Sequence, residues 1–206
     1  MAAKGRLIVL EGIDGSGTTT QAKLLYQALK RSRRRVELTA EPSDGPAGRL
    51  VRSYLRGKNK FSDDALRAPG LALLFAADRL EHLSNRINPW LKSGKVVISD
   101  RYLLSSLAYQ SLECDLDWVA AVNCFAPGPD LTLLLDLPAK TALKRVSSRG
   151  VERDLFEKLE LQKQVRANYL KLAKKLLPAG RVVVIDAEKS IGEIASEILA
   201  KVLAWI

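Results

Sequence analysis

Cysteine is scarce in this 206-residue chain: Cys114 and Cys124 are the two present, and they do not form a C-x-x-C pair. So few thiols exclude a disulfide framework and suit a reducing compartment. Long apolar runs are lacking too. The first one, Leu7 to Leu10, covers four positions, too few for the apolar region of a secretion signal or for a membrane span. A cytoplasmic protein with no membrane partner is the expectation. Repeats, linkers and low-complexity segments are absent, so residues 1–206 read as a single domain, and 47% hydrophobic content is enough for a core without staples. Negative charge is outweighed, since 33 Lys and Arg against 23 Asp and Glu leave +10. Much of the excess sits in Lys30-Arg31-Ser32-Arg33-Arg34-Arg35, at the end of an expected helix, where cations suit the helix dipole and stay in water. No stable nucleic-acid partner is inferred, and the charge equally suits small polyanionic substrates.

What the chain does have is alternation. Apolar or β-branched runs at Arg6–Glu11, Val36–Glu41, Lys95–Asp100, Asp130–Leu137 and Arg181–Ala187 predict five strands. Leu131 to Leu135 carries no regular polar alternation, as expected of a strand covered on both faces. Helical patterns fall at Thr18–Arg34, Gly48–Arg56, Leu71–Lys92, Leu103–Cys114, Leu116–Phe125, Ala139–Ser148, Leu155–Leu177 and Ile191–Trp205. Such alternation requires crossover connections, hence an α/β fold with a mainly parallel sheet. A charged interruption at Gly150–Asp154 reads as a mobile flap, a lid over about residues 148–156.

The first predicted strand runs into Gly12-Ile13-Asp14-Gly15-Ser16-Gly17-Thr18-Thr19-Thr20, which matches the P-loop pattern G-x-x-x-x-G-K-[ST] except at the lysine. Glycines let consecutive backbone N–H groups turn toward the phosphates of a nucleoside triphosphate, at the positive end of the following helix. Thr19 holds the hydroxyl position that ligates Mg²⁺. The duller reading, a Gly/Ser-rich turn capping a helix, sits poorly with a strand before and a long helix after. Thr18 replaces the lysine that meets the β- and γ-phosphates, and losing one such charge-assisted contact costs about 1.5–3 kcal/mol. Lys23 lies about 7.5 Å further along the helix axis and cannot stand in. Arginines around Arg149–Arg153 are the natural replacements.

A second carboxylate site follows the third predicted strand. Asp100 ends Val96-Val97-Ile98-Ser99, at the place where a strand-end acid beside a P-loop holds Mg²⁺ directly or through water. The adjacent Arg101 suits bidentate capture of a phosphate.

Taken in order, these pieces resemble the thymidylate kinase family almost from end to end. The matching segments are Glu11 to Gly17; Glu41-Pro42 with Gly48 and Arg52; Leu74 to Arg79 with His82; Asp100 to Gln110; Pro129 to Thr132; and Asp154 to Glu157. Asp100-Arg-Tyr-Leu-Leu-Ser-Ser-Leu-Ala-Tyr-Gln110 is the most specific of them. The resemblance implies a P-loop NTPase three-layer fold, a five-stranded parallel sheet surrounded by helices with a short lid. It implies an ATP-dependent nucleoside-monophosphate kinase that converts dTMP to dTDP with Mg²⁺, in a homodimer.

Site roles follow position by position from the same resemblance. Phe75 matches the aromatic that stacks on thymine, Arg79 the arginine at the base edge, Ser106 and Gln110 polar groups around the base, and Tyr109 a tyrosine near the deoxyribose. Arg52 and Arg101 match arginines on the dTMP phosphate, Glu41 a carboxylate in the same pocket, and Asp14 the P-loop acid near sugar and metal. Arg149 and Arg153 resemble lid arginines, which must supply the charge the P-loop lacks. Thr19 and Asp100 form the metal pair. His82, the single histidine, reads as structural. Three positions depart from the family pattern by losing a cation: Thr18, Ala40 and Leu155. A related kinase of other base preference stays open beside this reading, and Thr18 keeps open a weakly active regulatory relative.

Overall fold

The computed structural model describes residues 5–147, 155–176 and 181–206. At its centre is β1 (Arg6–Glu11), flanked by β3 (Val96–Asp100) and β4 (Leu131–Asp136), with β2 (Val36–Ala40) and β5 (Val182–Asp186) outside them. Every pairing is parallel. Five strands in the order β2-β3-β1-β4-β5 match the five expected runs to within a residue or so at each end.

The helices are α1 (Thr18–Arg31), α2 (Pro46–Leu55), α3 (Asp64–His82), α4 (Asn88–Lys92), α5 (Leu103–Gln110), α6 (Leu116–Val122), α7 (Ala139–Ser147), α8 (Leu155–Leu176) and α9 (Ile191–Leu203). The expected Leu71–Lys92 helix is corrected at both ends. It starts at Asp64, because Asp63 caps it by accepting from the Ala65 N–H at 2.8 Å, and Pro69-Gly70 is carried inside rather than breaking it. Gly70 is needed there, since a Cβ would come 2.5 Å from the Phe61 ring. Leu83–Ile87 then forms a π-helical turn before α4, with Leu83 and Ile87 both buried. Helix α1 ends at Arg31 and not Arg34; Arg33 adopts a left-handed φ of 56° in the exit turn.

Alternate residues of β1 feed two apolar clusters. Ile8 and Leu10 pack with Leu25 and Leu29 of α1 and Ile194 and Ile198 of α9, while Leu7 and Val9 meet Leu83, Ile87 and Tyr102. A sheet covered on both faces explains strands that are apolar throughout. Among the described residues, no helix is long and apolar enough to cross a membrane. Of the lid expected near residues 148–156, residues 148–154, with Arg149 and Arg153, lie outside the described residues, and the last two positions begin α8.

The register decides where the chemistry falls. Leu10 and Ala40 both stand level with Asp100, so the carboxyl ends of β1, β2 and β3 open on one crevice. Strand order reverses beside β1, which is where open α/β sheets take their ligands.

Candidate active site

Between β1 and α1 the chain turns tightly, with the Ser16 N–H donating to the Ile13 carbonyl at 3.0 Å. Gly15 has φ +90°, and a Cβ there would meet the Ala142 carbonyl oxygen at 2.4 Å, so only glycine lets the loop lie against α7. Gly17, also left-handed, precedes α1, and no side chain caps that helix. The helix therefore presents its positive end without a carboxylate partner. Thr18 is buried at the first turn, while Thr19 and Thr20 are exposed.

Thr19 and Asp100 come together although they are 81 residues apart: the Thr19 hydroxyl donates to Asp100 Oδ2. The other carboxylate oxygen, Oδ1, is buried with no partner among the described residues. A buried oxygen without a donor is costly unless a cation or a water satisfies it. One carboxylate and one hydroxyl fit a hard cation that takes its remaining ligands from phosphates and water. Among the described residues, no cluster of three or more His, Cys, Asp or Glu offers a full protein cage.

Arg101 stands next to this pair at φ +72°, a left-handed conformation that costs a non-glycine residue about 1–3 kcal/mol. Its backbone N–H donates to the Leu10 carbonyl at 2.9 Å. Its guanidinium donates to Asp14 Oδ1 at 2.6 Å, to the Ser105 hydroxyl at 3.2 Å and to the Tyr169 phenol oxygen at 3.4 Å, and lies over the Tyr109 ring at 5.3 Å. Burial pushes the Tyr109 phenol up to about 12, with Arg101 pulling the other way, so it remains neutral. Glu11, fully buried at the end of β1, accepts from the Tyr102 and Ser105 backbone N–H groups. Burial raises its carboxyl above the usual range, against the Ser105 hydrogen bond and the Arg101 charge.

Beside Arg101 opens a cavity of about 430 Å³. Of the residues expected to hold a monophosphate, Phe75, Arg79, Ser106, Tyr109 and Gln110 line it, together with Glu41, Arg101 and Asp14. Gln110 Oε1 is buried there without a partner among the described residues, an acceptor in want of a donor. Asp14 belongs to both the loop and the cavity wall, and so joins them.

Two arginines are bound differently from a bare ligand contact. Arg79 is almost wholly buried, and its Nε donates to Glu41 at 3.0 Å, its Nη1 to Asn123, and its Nη2 to the Tyr102 carbonyl at 3.1 Å and the Ser106 hydroxyl at 2.8 Å. Five N–H donors less these four leave one, on Nη1. Arg52 does not line the cavity. It donates to the carbonyls of Pro42 and Ser43 and sits 3.3 Å from Asp44, bracing the loop after β2.

Sequence reasoning assigned no role to several groups that hold this wall. Asp78 is fully buried and accepts from the Ser43 N–H at 2.8 Å and the Ser43 hydroxyl at 2.5 Å. Gly48 makes room for that loop, since a Cβ would overlap the Ser43 carbonyl at 2.0 Å. His82, read as structural, is buried, and its ring bonds Thr39 at 2.6 Å and lies 3.5 Å from Glu41. Asn123 and Tyr169 carried no local signal, and Ser105 had no role assigned within the Asp100–Gln110 motif, because each acts through a partner distant in sequence.

A glycine-turned loop at a helix N-terminus, a strand-end carboxylate on its threonine and an adjoining second pocket define a P-loop nucleotide-binding α/β protein. The family model described as thymidylate kinase matches residues 10–198. A probable thymidylate kinase of Pyrococcus horikoshii is 48% identical over 200 residues, covering 97% of this chain and 96% of that protein. One from Thermococcus onnurineus is 47% identical over 199 residues (95% and 96%), and one from Methanococcus maripaludis strain C6 is 41% identical over 204 residues (96% and 95%). The chain belongs to the thymidylate kinase family.

Proposed function

We propose that this protein is an ATP-dependent dTMP kinase, transferring the γ-phosphoryl group of ATP to dTMP to give dTDP for dTTP and DNA precursor synthesis. The observation that carries the reading is the junction at Arg101, whose guanidinium touches Asp14 of the loop and the Tyr109 ring of the cavity. An oxygen of the dTMP phosphate attacks the γ-phosphorus, the bond to the β–γ bridging oxygen breaks, and ADP leaves. Such transfer needs positioning and charge neutralisation more than a base.

Residues Gly12 to Thr20 bind the ATP phosphates through the loop backbone. Arg101 grips the monophosphate. Arg52 would have to exchange a loop carbonyl for phosphate to join it. Phe75 stacks on the thymine, Gln110 and the remaining Arg79 donor meet its edge, and Tyr109 packs by the deoxyribose. Thr19 and Asp100 would hold Mg²⁺, the buried unpartnered Oδ1 supporting that fit. When bound, the ion supplies charge neutralisation on the phosphates. Arg149 and Arg153 supply the cation that Thr18 does not.

The enzyme works in the cytoplasm, as the free thiols of Cys114 and Cys124 favour. It acts as a homodimer without stable nucleic-acid or membrane partners. Leu66, Leu73 and Leu80 are exposed on α3 at seven-residue spacing, the seam along which helices pair. A coupled ADP-release assay with dTMP, dUMP, dCMP, dAMP and dGMP tests the function. Turnover with dTMP far above the others supports it; equal turnover with dAMP or dGMP rejects the pyrimidine site. ATP and dTMP binding without turnover would instead favour a regulatory relative, a reading motivated by Thr18.

A further inference from the structure

Glu11 belongs to none of the ligand-binding groups above, yet it is fully buried at the carboxyl end of β1, one strand away from Asp100. A carboxylate so placed needs donors, and it has four. Oε1 accepts from the backbone N–H of Tyr102 at 3.0 Å and of Ser105 at 3.2 Å. Oε2 accepts from the Ser105 hydroxyl at 2.5 Å and the Tyr169 phenol at 3.2 Å. These two hydroxyl oxygens are the same ones that accept from Arg101 Nη1, at 3.2 and 3.4 Å.

We infer that Glu11 is a positioning residue for Arg101, acting through the hydrogens of Ser105 and Tyr169 and through the backbone that holds Arg101 left-handed. The inference rests on the proposed role of Arg101 as the monophosphate grip.

A hydroxyl has one proton and two lone pairs. An ionised Glu11 draws the Ser105 proton toward itself, and the Tyr169 proton toward itself or toward Ser105, which lies 2.8 Å away. In either case the lone pairs are left facing Arg101. Burial raises the Tyr169 phenol well above its ordinary value, so it keeps its proton and remains a donor. The guanidinium is then fixed from both ends, Nη2 on Asp14 and Nη1 on the two hydroxyls. On the backbone side, the Tyr102 and Ser105 N–H groups anchor the turn that follows Arg101, whose φ of +72° no glycine relieves. The Ser99 hydroxyl adds a bond to the Arg101 carbonyl at 2.7 Å.

Glu11→Gln is the informative change because it keeps shape and inverts polarity. Its amide oxygen can still serve the two backbone donors, but its NH₂ would donate to the hydroxyls, and since only one of their protons can go into the Ser105–Tyr169 bond, at least one is turned toward Arg101. The expected result is a dTMP Kd raised about 10-fold or more, with ATP affinity changed less than about 2-fold. The Kd values are read by calorimetry on the intact protein without turnover, beside the kinetic KM values. Ser105→Ala/Tyr169→Phe should weaken dTMP similarly, and adding Glu11→Gln to that pair should add little, because the relay is already gone. If Glu11→Gln does not fold, Ser105→Ala and Tyr169→Phe singly still test the relay, since each removes one acceptor of Arg101. Unchanged dTMP affinity in those variants, equal losses for ATP and dTMP, or additive losses in the triple variant would overturn the inference. Failure of the unaltered protein to bind dTMP at all would reject the proposed function, a different outcome.

Discussion

Thr19 and Asp100 are joined by a hydrogen bond that uses one carboxylate oxygen and leaves the other, Oδ1, buried without a partner among the described residues. Asp100→Asn should leave the fold intact and lower the apparent Mg²⁺ affinity in turnover about 10–100-fold, as loss of groups supporting a metal does. Mg²⁺ titration of initial rates measures it; near-normal turnover at low Mg²⁺ would show the acid has no metal role.

Arg79 and Glu41 form an ion pair whose side chains are 1% and 3% exposed. Removing one partner strands the other charge, so Arg79→Ala should cost about 3–5 kcal/mol of stability. Replacing both residues by apolar ones should cost less than that. Urea unfolding of the single and paired variants decides it. At temperatures where Arg79→Ala is still folded, the dTMP KM should rise while the ATP KM changes little.

For the missing lysine, alanine at Arg149 or Arg153 should reduce kcat by roughly 10²-fold or more. Thr18→Lys should restore part of that loss, because a cation at α1 would share the same job. Should neither arginine matter, or should Thr18→Lys alone raise turnover a thousandfold, the charge does not come from the lid.

Stability should depend on pH through Glu11. Its folded-state pKa is raised above the ordinary 4.5, burial being the leading cause. Between those two values the folded protein keeps a proton the unfolded chain has lost, so this contribution is present at low pH and falls as pH rises through the window. The stability difference between the natural protein and Glu11→Gln should therefore shift toward the glutamine variant as pH is raised from about 4 upward. A difference independent of pH would mean Glu11 titrates alike in both states.

Leu73→Glu, in the middle of the exposed α3 stripe, should convert a dimer to monomers without unfolding it. Sedimentation velocity separates the outcomes, and an unchanged dimer would move the interface elsewhere.

Local pattern sufficed for much of this molecule. Five apolar runs became five parallel strands, and the glycine spacing from Gly12 to Gly17 became a loop at a helix N-terminus. These features are periodic or contiguous, so neighbouring residues specify them. The order of motifs was equally legible, since the family model spans residues 10–198.

Partnership was not. Sequence placed Arg79 and Arg52 on a substrate; packing spends most of one on Glu41, Asn123, Tyr102 and Ser106, and turns the other onto the Pro42–Asp44 loop. The helical pattern expected at Leu71–Lys92 leaves out Asp64 to Gly70, yet the Asp63 cap and the Phe61 ring against Gly70 keep that stretch within α3. Glu11 finds the Tyr169 phenol 158 residues away, and Arg79 finds Glu41 across 38. What a buried charge bonds to is settled by whichever donors the closed sheet brings within about 3 Å, and nothing in the local spacing of residues encodes that distance.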